Sequence, residues 1–178
     1  MSFTDFKQAA ENINVGQSAS LADYLACAAH FPAQGELPWY GREVRLAILG
    51  SFTIRGLGEV LKVEAASHNL FAHIYDTPYG QFTQEALNRS SRLYEFKPQL
   101  IYLIAEDKDF LDEKHRDSVL EALRANSSAR IVFSDFDGKI GERYRDDGRI
   151  TPFSFSQFLS GIGREEYWNT KYEKIGDM

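Results

Sequence analysis

The chain has 178 residues, 43% of them hydrophobic and 26% charged, which suffices for one domain with a real core. Its formal net charge of −6 and pI of about 5.3 speak against general nucleic-acid binding, which needs a basic face. A single cysteine, Cys27, rules out a disulfide framework and points to a reducing, cytoplasmic compartment. No apolar run is long enough for a membrane span, and Met1 to Val15 carries Asp5, Lys7 and Glu11 where a secretion signal would be apolar.

Residues 1–43 read as a helical, peripheral extension. Within it, Ser20-Leu21-Ala22-Asp23 fits a capping box, with Asp in place of the usual Glu. The helix it opens should end near Phe31, before Pro32. A loop with Gly35, Pro38 and Gly41 follows. Val44 to Leu49 is then a nearly continuous apolar run closed by Gly50, the pattern of a strand buried on both faces. Ile54, Leu57, Val60, Leu61 and Ala65 recur at helical spacing, with an end near His68-Asn69. A second strand is expected at 70–75, leading into Asp76-Thr77-Pro78-Tyr79-Gly80, and a short helix at 83–87. A third apolar strand is expected at 99–105. Asp109 is expected to cap the next helix, with Asp112 and Glu113 in its first turn and an end near Ala125. A fourth strand at 130–134 precedes a polar stretch from Asp135 to Arg149, and a last helix is expected at 155–162.

Strands alternating with helices imply right-handed crossovers and an α/β fold. The expectation is a three-layer αβα architecture on a flavodoxin-like parallel sheet of about four to five strands, ordered 2-1-3-4 by analogy. In such sheets ligands bind beyond the carboxyl ends of the strands, where the strand order reverses. That topology would gather Ser51, Thr53, Asp76, Gly80, Asp107 and Asp135 along one edge.

Leu46 to Thr53 reads as strand, sharp turn, helix, with Ser51 in the turn. Two readings stay open. Ser51 and Thr53 cap the helix, or Ser51 stands where backbone N–H groups can meet an anion or an oxyanion. The glycines at 50, 56 and 58 do not match a dinucleotide fingerprint, and no Gly-Lys-Ser/Thr follows. A serine nucleophile also needs a base. Of the four histidines, His30 precedes a proline, His73 lies inside a strand, and His115 in Asp112-Glu113-Lys114-His115 reads as a solvated helix face; no base is assigned from sequence. Ile131 to Gly138 ends in Asp135-Phe136-Asp137-Gly138, which is similar to the nucleophile motif of HAD phosphatases. That family's further motifs need far more chain than the 40 residues that remain, so the segment reads as a strand running into an Asp/Gly turn.

The Ser51 turn resembles the first block of SGNH/GDSL hydrolases, with Leu49-Gly50 in place of Gly-Asp. Tyr79-Gly80-Gln81 sits where that family supplies an oxyanion-hole glycine, whereas Ala105-Glu106-Asp107-Lys108 replaces its Gly-x-Asn-Asp. Leu46 to Thr53, Tyr79 to Glu85 and Leu93 to Pro98 together resemble the N-terminal SGNH-like domain of FkbH-like proteins; Pro152 to Phe155 and Tyr167 to Asn169 match more weakly. The resemblance covers residues 44–178 and implies an SGNH-like domain there, with the family's C-terminal HAD domain absent. It implies a role in handling or positioning an acyl or glyceryl (thio)ester on an acyl carrier protein or its phosphopantetheine arm, in secondary-metabolite or polysaccharide biosynthesis. Ser51 would be nucleophile or oxyanion donor and Gly80 an oxyanion donor, with Gln81, Thr53, Asp107 and Asp135 as polar partners. The alternative is a non-catalytic carrier-docking module using Arg89, Arg92 and Lys97; a HAD-type phosphatase ranks third. No metal, cofactor, nucleic-acid or membrane partner is expected, and a HAD domain is a possible partner.

Overall fold

The computed structural model describes residues 3–15, 20–31, 42–51, 56–105, 112–135, 141–144 and 146–154. The elements are α1 (Phe3–Val15), α2 (Leu21–Ala28), β1 (Arg42–Gly50), α3 (Leu57–Ser67), β2 (Leu70–Asp76), α4 (Phe82–Leu87), α5 (Arg92–Glu95), β3 (Leu100–Ile104), α6 (Glu113–Asn126), β4 (Arg130–Asp135) and β5 (Ile150–Ser154). The strands form one five-stranded sheet in the order β2-β1-β3-β4-β5, and every neighbouring pair is parallel. This is the expected three-layer α/β architecture, with the expected order extended by a fifth strand.

The apolar run of β1 has the burial its composition implies, since Leu46, Ala47, Ile48 and Leu49 are all buried. Alternation along the strand divides them. Ala47 and Leu49 join Ile101, Leu103, Leu120, Leu123 and Phe133 in the core under α4, α5 and α6. Leu46 and Ile48 face α3, packed with Leu57, Leu61 and Ile74. Behind α3, the helices α1 and α2 bury Phe6, Ala10 and Cys27 against Val63 and Ala66. The Ser20 capping box forms as read: the Ser20 hydroxyl accepts from the Asp23 amide, and the Asp23 carboxylate accepts from the Ser20 amide at 2.7 Å.

Three expectations are corrected. The cap of α6 is Asp112, whose carboxylate accepts from the Lys114 amide at 3.0 Å, so the helix starts later than Asp109 would allow. The one-turn α5 was not foreseen; it is held by Glu85, whose carboxylate accepts from the Tyr75 hydroxyl at 2.9 Å and the Leu93 amide at 3.1 Å. β5 falls where the polar stretch ends, and the proline within it conceals it in the sequence. Pro152 is tolerated because β5 is the last strand in the order, where one row of ladder bonds is not required. The helix expected at 155–162 lies outside the described residues.

The two-sided core sets a clear mutational contrast. Leu103→Ala, at a fully buried β3 site, should cost about 2–5 kcal/mol in urea unfolding. Leu87→Ala, at a site 47% exposed, should change stability by less than about 0.5 kcal/mol.

Candidate functional site at the carboxyl edge of the sheet

Because all strands run in parallel, their carboxyl ends share one edge, and three of them are tied together there. Ser51 follows β1, and its amide donates to the Ile104 carbonyl at the end of β3, 3.1 Å away. On the other side, the Thr77 amide donates to the Ile48 carbonyl at 3.0 Å. The buried Thr77 hydroxyl donates to that same carbonyl at 3.3 Å and accepts from the Gly50 amide at 3.4 Å. Thr77 therefore fastens the exit of β2 to the residues just before Ser51. It went unnoticed in the sequence because an isolated threonine after a strand carries no pattern.

From this anchor the chain turns through Pro78, Tyr79, Gly80 and Gln81. The Gln81 amide donates to the Pro78 carbonyl at 3.1 Å, and Gly80 has φ 70°. A positive φ at the third position of a four-residue turn is what favours glycine there. A Cβ on Gly80 would meet nothing within 4 Å, so conformation, not space, selects the residue, and its backbone is openly approachable. Tyr79 beside it is 74% exposed. The Gln81 amide is committed to the turn, which leaves its exposed side chain as the group it can offer.

The Ser51 surroundings differ from the sequence reading in one respect. Helix α3 begins at Leu57, and its N-cap is Gly56 at φ 92°, with Leu21 and Leu25 of α2 lying over it. Ser51 is therefore half-buried at a strand end and does not cap the helix. Thr53 and Asp107 lie outside the described residues. Asp135 closes β4, paired with Ser154. β3 stands between β4 and β1, so the Asp135 backbone is about 10 Å across the sheet from β1.

Two further groups belong to this edge. Asp76, at the end of β2, lies against the first turn of α3, where a Cβ on Gly58 would stand 3.1 Å from its Oδ2 and 3.2 Å from Ile74 Cγ2. Although Asp76 is exposed to solvent overall, partial desolvation against that turn, with the neighbouring Glu59, raises its carboxyl above the ordinary range, partly offset by Lys62. On the opposite face, His115 in the first turns of α6 is half-buried, with Nε2 3.3 Å from the Thr83 hydroxyl in the first turn of α4. The solvated helix face expected for His115 is thus not what forms, because α4 packs beside it.

Both tethers can be tested by stability. Thr77→Val keeps the shape but removes the acceptor for the Gly50 amide, and should cost about 1–3 kcal/mol in chemical unfolding. For Asp76 the raised folded-state pKa means that folding favours the protonated form. Its stabilising contribution is complete below the ordinary value of 3.8 and is lost as pH rises through the folded value. Asp76→Asn should therefore melt higher than the parent at pH 7, and the gap should close as pH falls toward 4.

No family model and no curated protein matches the chain. Among solved structures, its fold is similar to the crystal structure of the N-terminal part of the protein BF1531 from Bacteroides fragilis, described as containing a phosphatase domain complexed with Mg. The TM-score is 0.56 at 12% identity, over 92% of this chain and 48% of that one. The chain thus spans about half the length of that structure, and the likeness establishes a shared α/β fold.

Proposed function

We propose that this chain is the SGNH-like N-terminal unit of an FkbH-type protein, and that it handles an acyl or glyceryl (thio)ester carried by an acyl carrier protein in the cytoplasm. The observation that supports it most directly is the juxtaposition at the sheet edge. Ser51 is held at the end of β1 by its amide bond to Ile104, and the openly approachable Gly80 turn is fastened to the same strand through Thr77. A hydroxyl and a backbone N–H on one rim are the elements that acyl transfer requires. In this reading Ser51 attacks the carbonyl carbon and the Gly80 amide receives the developing oxyanion. The Bacteroides structure fits the wider setting: it is described as the N-terminal part of a protein, containing a phosphatase domain, and this fold spans about half of it.

A second reading, a docking module without turnover, is favoured by the exposure of Arg89, Arg92 and Lys97, a basic group on an otherwise acidic chain. In this reading the three side chains meet the acidic surface of a carrier protein.

A fluorophosphonate probe separates the two. The catalytic reading expects labelling at Ser51 that Ser51→Ala abolishes. The docking reading expects no labelling, together with carrier binding that weakens at least tenfold when Arg89, Arg92 and Lys97 are all changed to Glu.

A further inference from the structure

The fifth strand is held differently from the central ones. Ile150 is its one buried residue; Thr151 is exposed, and Pro152, Phe153 and Ser154 are half-buried. By contrast, β1 buries Leu46 to Leu49 without a break. Pro152 also brings no amide to the ladder, and β4 is the one neighbour of β5 in the described sheet. A strand with so little buried apolar surface, laddered on one side, opens at a lower cost than β1 or β3.

What fastens β5 is charge, supplied by the segment that leads into it. The one-turn helix Gly141–Tyr144 meets the first two turns of α6. There Arg143 pairs with Glu113 and, at 3.0 Å, with Asp117, whose other oxygen accepts from the Tyr144 hydroxyl. Further on, Asp147 pairs with Arg124 in the last turn of α6 at 3.1 Å. Its second oxygen accepts from the Arg149 amide at 2.9 Å and the Ile150 amide at 3.2 Å, at the entry to β5. The Arg149 guanidinium donates to the carbonyls of Arg124, Ser127 and Ala129 at 3.1, 2.6 and 3.1 Å. A cation there also suits the negative end of the α6 dipole. These contacts run along α6 from Glu113 to Ser127. The apolar share is small: the Tyr144 ring meets Phe133 edge-on with centroids 6.4 Å apart, and Ile150 enters the core.

The ion pairs stand partly in water. The side chains of Arg143, Glu113 and Arg124 are 51%, 63% and 47% exposed, so dissolved salt reaches and weakens them, whereas it leaves the buried contacts of β1 and β3 alone.

We propose that β5 and the turn before it form a strap, a unit that opens while the rest of the sheet stays folded, and that the charges along α6 set how often it does so. Opening withdraws β5 from the edge of β4 between Ile131 and Asp135. Asp135, at the carboxyl edge, then loses the strand that lies beside it through Ser154. The strap thus controls lateral access to that end of the edge.

Amide hydrogen exchange of the whole chain under native conditions is the test, read at β5 against β1 and β3. At low salt β5 should exchange faster than the two central strands. Raising salt to about 0.5 M should speed β5 by about threefold to thirtyfold and move β1 and β3 much less. Asp117→Asn combined with Asp147→Asn keeps shape and acceptor oxygens but removes both charges. At low salt this variant should reproduce the faster exchange of β5, and added salt should then change it little. Should the variant fail to fold, the salt response of the parent decides alone. A β5 that exchanges at the rate of β1 and β3, or that ignores both salt and the two substitutions, overturns the strap.

Discussion

Burial of β1 from both faces is the constraint from which the rest of the molecule follows. Leu46 and Ile48 pack on α3 while Ala47 and Leu49 pack under α4 and α6, so the strand cannot be shifted by one residue without exchanging its two cores. Its backbone is satisfied by β2 on one side and β3 on the other. A strand held this way ends at a defined place, and Ser51 sits at that end. The same burial assigns α3 to one face of the sheet and α4 and α6 to the other.

The loops at the carboxyl edge are then held by single, identifiable contacts. Thr77 joins β2 to β1, the Ser51 amide joins β1 to β3, and Glu85 holds α4 to α5 and to the Tyr75 hydroxyl. Burial and the hydrogen bond to Glu85 push the Tyr75 phenol up to about 12, so this link stays intact through the neutral range. Of these contacts, the one through Glu85 ties the Tyr79–Glu85 segment to the Leu93 amide, with Gly80 in the same segment as an exposed turn. Asp76 stands apart from these contacts, an exposed carboxyl partly desolvated against the first turn of α3.

The alternation of apolar runs and amphipathic segments was enough to read four of the strands, the principal helices and the parallel α/β class, because burial on two faces leaves an unbroken apolar signature. The edge strand β5 escaped, since it needs no such run and tolerates Pro152. The start of α3 was misread by a few residues because Ile54 matches the helical period, while the chain breaks at Gly56 through a left-handed backbone that periodicity cannot register. In the candidate site, Ser51 and Gly80 were legible because turn chemistry is local. Thr77 and His115 were not, because their partners Ile48 and Thr83 are 29 and 32 residues away.

By itself, the sequence determined which segments must be buried, where the chain turns, and that one serine and one glycine follow the first two strands. Those are consequences of local propensity and of apolar patterning, which each segment carries independently. Only the tertiary structure decided that the β2 exit is locked to β1 and that His115 leans on α4 instead of facing water. Such facts depend on which helix covers which face of the sheet, and that choice is made by the packing of all the segments together.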